Sequence, residues 1–396
     1  ISFWDKSGFA LESMSAKKLS VTSSGISASD LSITSTGSQL NFDKLSLEYQ
    51  GWRAFSNIAD SVRIEASMNN STIGLRTISY FTNARHDYHT RFDGVYMNLT
   101  GPISNISGNI SSGTGNSRMS VKFSSRGLPD FRHSLFRADV ERLELYADDI
   151  SYIMADLSGK PISDSLKKTL DEYGVVTLTG HFEGRPDNFT ADAQAASLLG
   201  EANMDIVIRR DQGQSFDFSG NVEVNDIKLG DILGNRNVGM VTAAAQVRGN
   251  VSENNLDAYT DGTVQLAQVG GYDYTDITMR GEFRNRLFSG RILSDDPNVS
   301  FSFDGLIDLN DTIPHYDFRM NLAHSDLRKL RINKRDSISL LSGVVAATGG
   351  GARLDNLNAD IIIDKLQYIN HSDTTRTGLV TLTGSKSDDT KHIKLR

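Results

Sequence analysis

Val299-Ser300-Phe301-Ser302-Phe303-Asp304-Gly305-Leu306-Ile307-Asp308-Leu309 alternates apolar and polar residues at period two. Val299, Phe301, Phe303, Ile307 and Leu309 share one face with Gly305, and Ser300, Ser302, Asp304 and Asp308 take most of the other. Successive side chains of a strand point to opposite faces, so the run reads as a strand with one dry and one wet side. Next to it, Tyr316, Phe318, Met320 and Leu322 oppose His315, Asp317, Arg319 and Asn321. The same alternation sets Met119, Val121 and Phe123 against Arg118, Ser120 and Lys122, and Met204, Ile206 and Ile208 against Asn203, Asp205 and Arg209. Val62, Ile64, Ala66 and Met68 form a further row. Toward the N-terminus the steps shorten to pairs such as Leu31 and Ile33 or Leu45 and Leu47, punctuated by Ser, Thr and Gly, which suits strands closed by tight turns.

The text also repeats. Asp211, Asp217, Phe218, Asn221 and Asp226 return one hundred residues later as Asp311, Asp317, Phe318, Asn321 and Asp326. Ile206, Val222 and Ile227 return as Leu306, Leu322 and Leu327. After one inserted residue, Asn255, Leu256 and Ala258 match Asn356, Leu357 and Ala359. A long internal period of strand-like sequence predicts an array of one supersecondary unit. A strand, a glycine and a returning Asn recur at Leu99-Thr100-Gly101 to Asn105, Leu178-Thr179-Gly180 to Asn188, Val247-Arg248-Gly249 to Asn255 and Ala347-Thr348-Gly349 to Asn356, which predicts a reused hairpin.

Helix is scarce. Ser163 to Tyr173 predicts one, with Leu166, Leu170 and Tyr173 on one face, Ser163 as cap and Gly174 as stop. Asp226 to Leu233 and Ser325 to Leu330 predict shorter helical turns at matching repeat positions. All three read as plugs or caps over apolar rows. So little helix leaves two ways to cover the dry faces: two sheets facing each other, or one sheet curled around an apolar trough. Period alone does not separate them.

The 396 residues carry a net charge of −8, six prolines and no cysteine. Disulfides and thiolate metal sites are excluded, and scattered basic residues in an acidic background argue against a nucleic-acid partner. No run is apolar enough for a spanning helix, and no signal peptide opens the chain. The start at Ile1 without Met suggests a segment of a longer protein. His86 and His89, three apart with Asp87 between, would face opposite ways on a strand and read as solvated loop residues. The pairs Asp148-Asp149, Asp295-Asp296 and Asp388-Asp389 read as turn formers, since neighbours on a strand face apart. Gly349-Gly350-Gly351 lacks the Lys-Ser/Thr of a phosphate loop. The expectation is no enzyme, no catalytic residue, no metal and no cofactor. An extracellular β-solenoid, adhesin or lyase, is a weaker reading, because only Trp4 and Trp52 could serve as indole platforms for sugar.

The run Phe303 to Asp311, followed by His315-Tyr316-Asp317-Phe318 and the Asp326-Leu327 turn, resembles the TamB family of translocation and assembly module proteins, in its Bacteroides-like versions. The stretch Leu47 to Tyr80 resembles the related AsmA-like repeats. The resemblance implies an all-β, elongated repetitive sheet body curled into a taco-like groove, with a few short helices as plugs or caps. It implies a periplasmic location in a diderm bacterium and tethering to the inner membrane by an N-terminal anchor outside this segment. It further implies an outer-membrane barrel partner of the Omp85/TamA type met through other regions, and phospholipid acyl chains as cargo. On that reading the groove is lined by Val62, Ile64, Val121, Phe123, Leu178, Met204, Ile206, Val299, Phe301, Phe303, Phe318, Met320, Leu322, Ile361 and Ile363. The expected segments are 1–135 (AsmA-like), 136–215 with the helix at 163–173, 216–315 and 316–396, in one continuous body. The alternative function is a scaffold or chaperone that accepts strands of outer-membrane or secreted proteins by β-augmentation.

Overall fold

The computed structural model describes every residue except 1, 2, 5–9, 78–87, 211–214, 253, 254, 352–355, 388 and 389. At 3, 4, 165, 169, 233, 385–387 and 390–392 it describes the backbone alone. The protein is all-β: strands take 69% and helices 10%, too little helix to form a covering layer. The chain divides into two compact units, Ile1–Leu198 and Leu199–Arg396.

The first unit is an antiparallel sheet of β1 (Phe3–Trp4), β2 (Ala10–Ser15), β3 (Lys18–Val21), β4 (Gly25–Ser35), β5 (Ser38–Tyr49), β6 (Val62–Gly74), β7 (Arg91–Pro102), β8 (Asn105–Thr114), β9 (Ser117–Arg126), β10 (Leu135–Leu145), β11 (Val176–Arg185) and β12 (Asn188–Ser197). Strands β4 to β12 pair in sequence order, while β2 and β3 both pair with β4. A 3-10 turn (Trp52–Asn57) and α1 (Ile58–Ser61) fill the β5–β6 connection. Helices α2 (Ala147–Ser158) and α3 (Asp164–Tyr173) fill the β10–β11 connection.

The second unit repeats the scheme with β13 (Gly200–Arg210), β14 (Phe216–Lys228), α4 (Leu229–Leu233), β15 (Val238–Ser252), β16 (Asn255–Val269), β17 (Tyr272–Arg284), β18 (Leu287–Asp296), β19 (Val299–Asp308), β20 (His315–Ser325), β21 (Ser339–Gly350), β22 (Asn358–Asn370), β23 (Thr374–Arg376), β24 (Val380–Ser387) and β25 (Thr390–Leu395). Each strand pairs with the next, except that β24 returns to β22 beside the short β23. Tight turns make this meander possible. Gly270 and Gly271 join β16 to β17 with φ of 61° and 79°, the left-handed pair that a two-residue hairpin matching the strand twist requires. In neither unit do the first and last described strands pair, so neither sheet closes as a barrel.

The sequence repeat maps onto a six-strand step, from β14 to β20. Phe218 and Phe318 both fall on the apolar face, and the pairs Gly249–Ala258 and Gly349–Ala359 stand in equivalent hairpins. Leu306 breaks the match: Gly305 takes the apolar face, so Leu306 turns to the side opposite that of Ile206. The predicted helix is present as α3, with the Ser163 hydroxyl accepting from Leu166 N–H at 3.2 Å and Gly174 at φ 65° ending it. Asp226 belongs to β14, where φ 51° marks a bulge, and α4 begins only at Leu229. Asp326 makes an isolated bridge to Leu340, and 327–330 form a single turn in which Leu330 N–H donates to the Asp326 carbonyl at 3.0 Å.

Candidate functional site: one uncharged face on each sheet

Directly opposed residues on neighbouring strands share a face, so the pairing register traces rows across the second sheet. One row runs Met204, Val222, Ala245, Gly262, Met279, Ile292, Phe303, Met320, Val345, Ile363 and Val380. Beside it run Ile206, Gly220, Val247, Thr260, Gly281, Gly290, Gly305, Phe318, Ala347, Ile361, Leu382 and Leu395. A third row carries Ile208, Phe218, Gly249, Ala258, Phe283, Phe288, Ile307 and Tyr316, and a fourth carries Val224, Ala243, Val264, Ile277, Ser294, Phe301 and Leu322. No charged residue interrupts these four rows. Four rows two residues apart make a strip roughly 20 Å wide.

The opposite face is polar. Asp205, Asn221, Gln246, Asp261, Arg280, Arg291, Asp304 and Arg319 stand in one row. The opposed Arg280 and Arg291 avoid each other by pairing outward, Arg280 with Asp261 and Arg291 with Asp304 at 2.9 Å. Such exposed pairs add little stability but fix which face is wet.

The first unit has shorter rows of the same kind. Ala28, Leu45, Ala66, Leu99, Gly108, Phe123, Ala138, Phe182 and Ala191 stand opposite one another. So do Leu31, Phe42, Met68, Met97, Ile110, Val121, Val140, Gly180 and Ala193.

A flat single sheet would expose both faces alike. Here the row from Met204 to Val380 is half-buried apart from buried Phe303, whereas most of the row from Asp205 to Arg319 is exposed. Each sheet therefore curls toward its apolar side. Glycines permit the crease: a Cβ on Gly290 would lie 2.3 Å from the Arg280 carbonyl oxygen, and one on Gly305 would lie 2.3 Å from that of Asp317. Most positions of these four rows stay half-exposed: only Phe303, Ala347, Thr260, Ser294 and Gly281 are buried.

The residues expected to line a groove divide by environment. Met204, Phe303, Met320 and Ile363 share one row, Ile206, Phe318 and Ile361 the next, and Phe301 and Leu322 a third. Phe123 and Val121 lie on the two long rows of the first unit. Leu178 stands opposite Leu143 and Ala195, and Ile64 opposite Leu47 and Gly101. All of these are half-buried except Phe303, which is 6% exposed. Val299 is covered at a strand end beside buried Asp296 and Ser325. Val62 is 0% exposed in a closed cluster with Tyr49 and Ala54, under the 3-10 turn. Trp52 and Phe55 roof that cluster, with ring centroids 5.4 and 4.8 Å from Tyr49.

No protein-family model matches this chain, and no curated protein or solved structure does. Its chemistry is therefore judged from the residues. Among the described residues no group of three or more His, Cys, Asp or Glu could hold a metal, and no helix is long and apolar enough to cross a membrane. His86 and Asp87 lie outside the described residues, as do Asp388 and Asp389. His89 sits 3.3 Å from Asp156 through Nδ1.

Asp156, on α2, is a latch. Its carboxylate accepts from His89 N–H at 2.8 Å and Thr90 N–H at 2.7 Å. Burial pushes its pKa up, but these donors outweigh that and hold it at about 2. At the other end of α2, Asp149 accepts from the N–H groups of Asn116 and Ser117 at 2.8 and 2.7 Å. The helix thus spans one end of strands β7 to β9. Asp296 ends β18 by accepting from Asn298 N–H and from the Tyr272 hydroxyl at 2.7 Å.

Sequence reasoning missed α2, although Ile150, Ile153 and Leu157 carry helical spacing. It also missed Phe283 and Phe288, equidistant from the Asn285-Arg286 turn and hence opposed across it. A cleft of about 380 Å³ opens on the polar face among Arg209, Asp217, Arg248, Asp257, Tyr259 and Glu282. Its charges are mixed, and Arg248 lies over the Tyr259 ring at 4.4 Å.

Proposed function

We propose that this chain is a periplasmic segment of a TamB-like protein that shields phospholipid acyl chains in apolar β-troughs during transport between inner and outer membranes. The single observation that carries the reading is the absence of charge across four adjacent rows that remain half-exposed. An acyl chain of about 16 carbons loses on the order of 13 kcal/mol when its methylenes face water. A conduit must shelter it along the path, and continuous uncharged rows do that. Anchoring to the inner membrane and contact with an outer-membrane barrel partner of the TamA type belong to the same proposal, through regions outside this segment. The test is lipid extraction of the purified chain together with uptake of a fluorescent acyl probe. Co-purifying phospholipid and saturable uptake support the reading; their joint absence overturns it.

A second reading, a scaffold that accepts strands by β-augmentation, draws on β25, which among the described residues pairs only with β24 and leaves Ile393 49% and Leu395 70% exposed. Crosslinking from β25 separates the two: peptide adducts favour the scaffold.

A further inference from the structure

The apolar rows of the second unit are not uniform along their length. From β14 to β16 six row positions are small, Gly220, Ala243, Ala245, Gly249, Ala258 and Gly262, beside Phe218, Thr260 and four valines. From β17 to β20 six row positions are aromatic, and four of the rings touch in series. Phe283 and Phe288 lie 5.0 Å apart, Phe288 and Phe303 6.2 Å, and Phe303 and Phe318 5.3 Å between centroids.

The middle contact matters most. Phe288 and Phe303 belong to rows on either side of the row that holds Gly281, Gly290 and Gly305. Three consecutive strands thus leave the floor between them bare. The Phe288 ring leans into that gap: a Cβ on Gly281 would meet its Cε2 at 2.7 Å. Side chains from opposite flanks of the curl meet here over the glycine floor. Phe303 is 6% exposed, while Phe288 and Phe318 on the neighbouring strands are half-buried.

We infer that the Phe288–Phe303 bridge is a constriction that divides the apolar trough of the second unit and sets how long an acyl chain its open reach can cover. This rests on the lipid-shielding reading above. Counted from β13, the first strand of this unit, to β16, the reach before the aromatic series is four strands at about 4.8 Å each, roughly 15–20 Å. A chain lying along it gains burial with each methylene until its tip meets the aromatic bridge. Beyond that length added methylenes stay in water. Phe288 is the specificity-determining residue, since it is half-buried and its ring leans over Gly281, while Phe303 is 6% exposed.

The test is the affinity of the full chain for a homologous series of saturated fatty acids. The expected curve tightens by about fourfold per added methylene and then levels off. Phe288→Leu keeps the site apolar but removes the ring, and should move the plateau to longer acids. Ala245→Trp fills the open reach, and should weaken every acid without moving the plateau. A far-ultraviolet circular dichroism melt verifies that each variant folds, and Phe288→Met replaces the leucine variant if that one does not. An affinity that keeps rising with length in the natural chain, or a plateau unmoved in the Phe288 variants, overturns the constriction and leaves lipid shielding standing. No binding of any acid by the natural chain removes both.

Discussion

Val62 and Ile206 obey the same rule of alternation, and the structure treats them oppositely. Val62 lies on β6, where the chain leaves β5 through a 3-10 turn whose Trp52 and Phe55 fold over Tyr49 and close the site. Ile206 lies on β13 in a row where, among the described residues, no such closed cluster forms, and it stays half-exposed. Period-two patterning therefore decides which face a residue takes. What the connection supplies decides whether that face becomes core or trough.

The comparison breaks most sharply under charge. Val62→Asp places a carboxylate in a fully closed cluster and should cost at least about 4 kcal/mol or prevent folding. Met204→Asp, on the open row, should cost only about 1 kcal/mol and yet abolish acyl-probe uptake. Urea unfolding of the two variants checks this; equal losses would mean that the second sheet is as closed as the Val62 cluster. Phe301→Glu, deeper along the aromatic reach, is the intermediate case: a folded variant that no longer takes up lipid marks an open row, and an unfolded one marks closed core.

A smaller effect concerns the α2 latch. Asp156 titrates at about 2, below its ordinary value of 3.8, because the His89 and Thr90 N–H groups overcome its burial. Its contribution is therefore complete above about pH 5 and is lost as pH falls through about 2, on the order of 1–2 kcal/mol. Asp156→Asn should lower stability at neutral pH and flatten the acid limb of the stability curve of the first unit. An unchanged acid limb would show that α2 is held by other contacts.

The smallest effect lies on the wet face. The Asp139 carboxylate, 2.6 Å from His181 Nδ1, raises that imidazole above its ordinary pKa, aided by Glu183. A raised value means that the pair contributes below pH 6.5 and fades as pH rises through the shifted pKa. Asp139→Asn should bring the His181 titration, followed by proton NMR, back toward 6.5. No movement would mean that the pair does not persist in solution.

Much of this architecture was legible in the chain. Val299 to Leu309 announced its two faces, and Ser163 and Gly174 bracketed α3 as capping chemistry requires. What escaped were features set by tertiary geometry. The roof over Val62 depends on how the residues after Tyr49 fold back, which period two does not encode. The fit of Ile206 to Leu306 suggested a shared role, but register turned Leu306 outward, because one residue of offset reverses every side chain. The bridge of Phe288 and Phe303 required knowing that three glycines line up across strands, and only the pairing reveals that.

The most direct test uses that same alternation. A photoreactive benzophenone amino acid is placed in turn at Ile206, Val222, Asp205 and Asn221, and the protein is irradiated with phospholipid vesicles. Lipid adducts from 206 and 222, with none from 205 and 221, are the expected result. Equal labelling from both faces, or no labelling from 206 and 222, would contradict an acyl-sheltering trough.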